Sequence, residues 1–147
     1  MKRFLLMALT LTMLVAGCST EVTEYRQQQP RLDIFHYFQG KTEAWGMVQD
    51  RSGKQIRRFH VEIAGDVIGD TLTLNEHFVY DDGEKQKRVW HIRRIGHDCY
   101  EGTAGDIEGV ATGQVSGNAL NWRYSMNVKA DGKTWLLHFD DWMYLQD

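Results

Sequence analysis

From Gly40 onward the chain alternates apolar and polar positions, with turn signals at fairly even intervals and no proline after Pro30. A period of two over short runs bounded by Gly, Asp and Asn predicts strands joined by tight turns, an antiparallel all-β meander. A one-residue slip moves every side chain to the opposite face, so a register is tested by asking which loop length sets apolar residues against apolar ones. Asp131-Gly132 as a two-residue loop pairs Val128 with Trp135, Met126 with Leu137 and Tyr124 with Phe139, and on the other face Arg123 with Asp140. A three-residue Asp81-Asp82-Gly83 loop, with glycine in the left-handed position, pairs Leu72 with Ile92, Leu74 with Trp90 and Glu76 with Arg88. A loop at Ser116 to Asn118 sets the row Ile107, Gly109, Ala111, Gly113 against the row Leu120, Trp122, Tyr124, Met126. Small residues facing large ones curve a sheet, make room inside a barrel, or give the large side chains a place to pack.

Upstream the pattern differs. Asp33 is placed to cap a short helix carrying Ile34, Phe35 and Phe38, with Gly40 after it. Ser19 to Gln29 is almost entirely polar, so residues 18–29 are predicted to be a tether. Met1-Lys2-Arg3, the apolar run Phe4 to Val15 and Val15-Ala16-Gly17-Cys18 form a secretory leader ending in a lipobox. Residues 1–17 are then removed and Cys18 becomes the lipid-bearing N-terminus, because a run this short does not span a bilayer that needs about 20 residues. Ser19 after the cysteine points to the outer membrane, facing the periplasm, in bacteria that sort on that position. Residues 30–147 form one domain, predicted as a lipocalin-like up-and-down barrel of about eight strands with a short N-terminal helix. An open sandwich is the alternative.

Charge narrows the partners. Losing Lys2 and Arg3 with the leader deepens the formal balance from −3 by two, to −5, which argues against nucleic acid. Cys99 alone accompanies Cys18, so no disulfide is expected within the mature chain, and Cys99 reads as a small buried hydrophobe.

The motifs resemble those of the bacterial lipoproteins grouped as domain-of-unknown-function family 3833. They run through Pro30-x-Leu32, Phe38-x-Gly40, Ala44-Trp45-Gly46-Met47-Val48-Gln49-Asp50-Arg51-x-Gly53 and Arg57-Arg58-Phe59. They continue with Tyr80-Asp81-Asp82-Gly83-Glu84, Arg88-x-Trp90, Tyr100-x-Gly102-Thr103-Ala104-x-Asp106, Gly117-Asn118-Ala119 and Asp140-Asp141-Trp142-Met143-Tyr144. The resemblance implies an envelope lipoprotein without an assigned activity, associated with gene neighbourhoods for membrane fatty-acid modification. It also implies a further region with a Lys-Phe-Gly motif and a last strand beyond the Asp-Asp-Trp-Met segment. This chain stops at Asp147, which leaves open whether the barrel closes.

The registers place charge among apolar residues: Glu76 and Arg88 beside Leu74 and Trp90, Asp141 opposite Trp122, and Arg57 opposite Met47. Buried charge is costly unless paired, so a structural Glu76–Arg88 ion pair is one reading. The other is a ligand pocket lined by Trp45, Trp90, Trp122 and Tyr124, with Arg57 or Arg88 reaching the carboxylate or phosphate of a fatty-acid or lipid-like molecule, and Glu76 and Asp141 beside them. No cofactor or metal is expected, because the six histidines show no ligand spacing. No Gly-x-Ser-x-Gly, His-Glu-x-x-His or phosphate-loop motif points to catalysis. The expected class is a non-enzymatic module that binds a hydrophobic molecule, with a structural or protein-binding accessory lipoprotein of filled core as the alternative.

Overall fold

The computed structural model describes residues 19–130 and 132–147. Residues 1–17, expected to be a leader, Cys18, expected to carry the lipid, and Asp131, expected in a turn, lie outside the described residues. Among the described residues eight strands follow one another through one antiparallel sheet: β1 Gly40–Gln49, β2 Gln55–Ile68, β3 Thr71–Tyr80, β4 Lys85–Gly96, β5 Cys99–Thr103, β6 Ile107–Ser116, β7 Ala119–Ala130 and β8 Lys133–Tyr144. Among the described residues no ladder joins β8 back to β1, so the sheet is a curled half-barrel with a seam. In a flat sheet β4 and β7 would lie about 14 Å apart at ~4.8 Å per strand. Curling brings the Trp90 ring of β4 to 5.6 Å from that of Trp122 on β7.

The expected registers hold in two hairpins, and in the third the two rows face each other about a shorter turn than the Ser116–Asn118 loop expected. Leu72 faces Ile92, Leu74 faces Trp90 and Glu76 faces Arg88, with Gly83 at φ +86° in the turn. Val128 faces Trp135, Met126 faces Leu137, Tyr124 faces Phe139 and Trp122 faces Asp141. Between β6 and β7 the reversal falls on Gly117-Asn118, with Ser116 opposite Ala119 and Gly113 opposite Trp122. An irregularity between Glu108 and Thr112, where Gly109 adopts φ +71°, then returns Ile107 to Met126. The small row serves close packing: a Cβ on Gly113 would lie 2.3 Å from the Trp122 ring, and one on Gly102 2.7 Å.

The β1–β2 pair corrects the expected register. Arg57 faces Val48, not Met47, because Ile56 is an extra residue between the pairs Gln49–Gln55 and Val48–Arg57. The bulge turns the odd positions of β1 outward.

A single helical turn, α1 (Ile34–Tyr37), closes one end. The Asp33 carboxylate accepts hydrogen bonds from the backbone N–H groups of Phe35 and His36. Ile34 and Phe35 enter the core with Leu32, Leu72, Leu74, Trp90, Ile92, Tyr100, Val115, Leu120 and Trp122. All of these sit towards the end bearing α1 and the β2–β3, β4–β5 and β6–β7 turns, the near end. The segment expected to be a tether is docked there from Val22 on. Its 3-10 helix Val22–Tyr25 buries Val22, and the Tyr25 ring lies 5.1 Å from Tyr144 and 6.0 Å from Trp142. The two apolar residues of an otherwise polar stretch find an apolar wall, which leaves only Ser19–Glu21, about 10 Å of chain, between Cys18 and the domain.

Candidate functional site

Alternation on β3, β4, β7 and β8 aims Glu76, Arg88, Trp90, Trp122, Tyr124 and Asp141 into the concave face, where they line one cavity of about 160 Å³. Apolar walls come from Ile34, Phe38, Ile63, Leu74, Phe78, Ile92, Leu120 and Met143. Ile34, Phe38, Ile63 and Met143 also border a groove of about 450 Å³ along the near part of the seam, between the start of β1 and the end of β8. Trp90 makes edge-on contacts with Trp122 and Tyr124, and Tyr124 stacks on Phe139 at 4.8 Å with the rings 3° from parallel. Such ring packing fixes the floor of the cavity.

Of the expected pocket residues, six come together and two do not. Trp45 is 73 % exposed on the outer face, stacked on His60 at 4.9 Å. The one-residue slip at Ile56 put it there. Arg57 faces inward but at the far end, where its guanidinium lies 3.6 Å over the Tyr80 ring and bonds Asp82 and Glu84 at 2.9 and 2.6 Å. Burial opposes its charge, but the two carboxylates outweigh that and keep it protonated.

Arg88 and Glu76, each 13 % exposed, form the expected ion pair only at long range, without a hydrogen bond. Their nearest atoms are 3.8 Å apart. The Arg88 fork is instead taken by Asp106, which accepts from Nε at 2.9 Å and from Nη2 at 2.7 Å. Glu76 Oε2 is buried and accepts no hydrogen bond. Burial pushes the Glu76 carboxyl up to about 7, against the pull of Arg88 and with a further push from Asp106. Burial likewise raises Asp141, opposed by the Tyr124 hydroxyl, and raises Tyr124, where Asp141 adds to it.

Sequence reasoning missed Asp106 as a site residue. The signal was present in the β4–β5 register: His91 faces Thr103, and carrying that register three residues further sets Asp106 beside Arg88. Among the described residues no group of three or more His, Cys, Asp and Glu side chains is arranged to hold a metal ion, and no helix is long and apolar enough to cross a membrane.

Fold and site define an open antiparallel meander with an aromatic-floored cavity and a charged wall. The chain belongs to a family of proteins of unknown function, DUF3833, whose model matches residues 12–147. Neither a curated protein nor a solved structure matches it.

Proposed function

We propose that the chain is a lipid-anchored protein of the bacterial envelope that binds a hydrophobic or lipid-derived molecule in its concave interior. The observation that carries this reading is the adjoining pair of spaces, about 160 and 450 Å³, sharing four apolar residues. Together they fall in the range of small-molecule sites, roughly 300–1,000 Å³. The groove borders the near end, where Ser19–Glu21 leads back towards Cys18. A lipid on that cysteine would hold the mouth close to the bilayer, on the periplasmic side of the outer membrane, and let an amphiphile pass in along the seam.

Two measurements test this. Intact mass of the membrane-extracted chain should begin at Cys18 and carry acyl mass, and Cys18→Ala should lose it; an unmodified N-terminus removes the anchor. Solvent extraction of the purified full chain should release an amphiphile, and Ile63→Trp, which narrows the passage shared by cavity and groove, should reduce its yield. A chain that yields nothing and binds no long-chain probe removes the interior site.

A second reading draws on the closed side of the half-barrel. There the Trp122 ring fills the space over Gly102 and Gly113, as a solid-cored accessory protein would require. It predicts an empty extract and a crosslinked protein partner in the envelope.

A further inference from the structure

We infer that the interior site takes an aliphatic chain whose head group is not anionic and donates a hydrogen bond, and that it discriminates against a free carboxylate or phosphate. This rests on the interior-binding reading above and specifies the ligand for that same site.

Charge count at the cavity gives the reason. Arg88 is the one cation among the residues lining it, against Glu76 and Asp141, and its fork is committed to Asp106. Three carboxylates therefore stand around one guanidinium. The strong way for arginine to hold a carboxylate or phosphate is bidentate, with two parallel N–H donors. Asp106 occupies that geometry through Nε and Nη2, while Nη2 also lies 3.2 Å from the Met126 sulfur. An anionic head group would have to evict Asp106, or add a charge to a wall already negative in a poorly hydrated space. Arg57 offers no alternative, since Asp82 and Glu84 both hold it at the far end.

A hydrogen-bond acceptor, by contrast, is unsatisfied, because Glu76 Oε2 lies 3.8 Å from Arg88 Nη1, beyond hydrogen-bond reach. Glu76 Oε2 is buried without a donor, on the strand facing Arg88 and in the same cavity as the Tyr124 hydroxyl and Asp141. The hydroxyl of a long-chain alcohol or monoacylglycerol, or the ammonium of a long-chain amine, supplies what that oxygen lacks. Burying an acceptor without a partner costs free energy that such a ligand recovers on binding. The apolar chain would then run between Phe38, Ile63 and Met143 into the seam.

The test compares three probes of one chain length, a brominated C18 alcohol, amine and carboxylate, titrated into the full chain at pH 8 while quenching of tryptophan emission is followed. The alcohol and amine are expected to quench saturably, with the carboxylate about tenfold weaker. A carboxylate that binds as tightly as the alcohol overturns the head-group inference and leaves the interior-binding reading standing. If none of the three quenches, that reading falls and the inference with it. Asp106→Asn, nearly isosteric, should release the Arg88 fork and narrow or invert the preference. An unchanged ratio in a folded Asp106→Asn variant also counts against the inference, because the occupied fork is its cause.

Discussion

At the scale of single residues, Glu76 sets the electrostatics of the interior, and its titration makes a prediction. Its carboxyl titrates near 7 in the folded chain and near 4.5 when solvated, so the folded state holds a proton that the unfolded state has released between those values. That stabilisation is complete below about 4.5 and is lost as pH rises through about 7; above that range the buried charge costs about 3 kcal/mol. Glu76→Gln keeps the shape and abolishes the titration. Urea denaturation is expected to show the variant more stable than the parent at pH 8 by one to three kcal/mol, to order of magnitude, and close to it at pH 4. Equal stability differences at both pH values would show that Glu76 is solvated in the folded chain. Gly65 tests a different term, since a Cβ there would lie 1.8 Å from the Phe38 backbone oxygen. Gly65→Ala must push α1 away from β2 and should cost about 3 kcal/mol, at the upper end of overpacking effects, read from the same denaturation curves.

At the scale of elements, what the sequence disclosed depended on whether a strand pair is regular. Two hairpins, β3–β4 and β7–β8, were legible because their ladders run without interruption through the core and apolar residues can oppose one another in only one register, whereas in β6–β7 the facing rows were legible but the two-residue turn and the irregularity at Gly109 were not. β1–β2 was not legible: one extra residue, Ile56, lies in a stretch exposed on both faces, where neither parity is marked by burial. The error propagated to Trp45, which alternation alone placed inside. The site was legible to the same extent, its six inward residues lying on regular ladders, while Asp106 sits in a turn and reaches Arg88 only through the β4–β5 register. The helix was readable from its cap. Asp33→Ala removes the acceptor for two N–H groups and the contact of Arg94 at 3.3 Å, and is expected to cost about 1 kcal/mol, nearly all of it from the cap because the ion pair is solvated. Thermal denaturation of Asp33→Asn distinguishes the two terms: retained stability assigns the cost to capping, and a full loss assigns it to the charge.

At the scale of the whole molecule, stability is concentrated at the near end and thins towards the far end. The core, α1 and the docked Val22–Tyr25 segment all lie near, and Leu72 and Ala111 are fully buried there. Towards the far end the sheet narrows to two-stranded ribbons. Beyond Met126 β7 has only β8 as a neighbour, and before Phe59 β2 has only β1 along its ladders. Trp135, Leu136, Leu137, Val48 and Ile56 are exposed there. A two-stranded ribbon has marginal stability in water, so these segments should open well below the free energy of global unfolding. Native-state hydrogen exchange is expected to be slowest at Leu72–Leu74, Trp90–Ile92 and Leu120–Trp122, and fastest in the ladders of Asn127–Leu136 and Gln49–Arg58. A bound amphiphile would slow exchange at Ile63, Glu76, Arg88 and Tyr124, the intermediate layer, and leave both extremes unchanged. Protection that appeared only in the far ribbons would place the ligand outside the cavity. An unchanged profile with saturating probe would mean that the interior is as full as its Trp122 side.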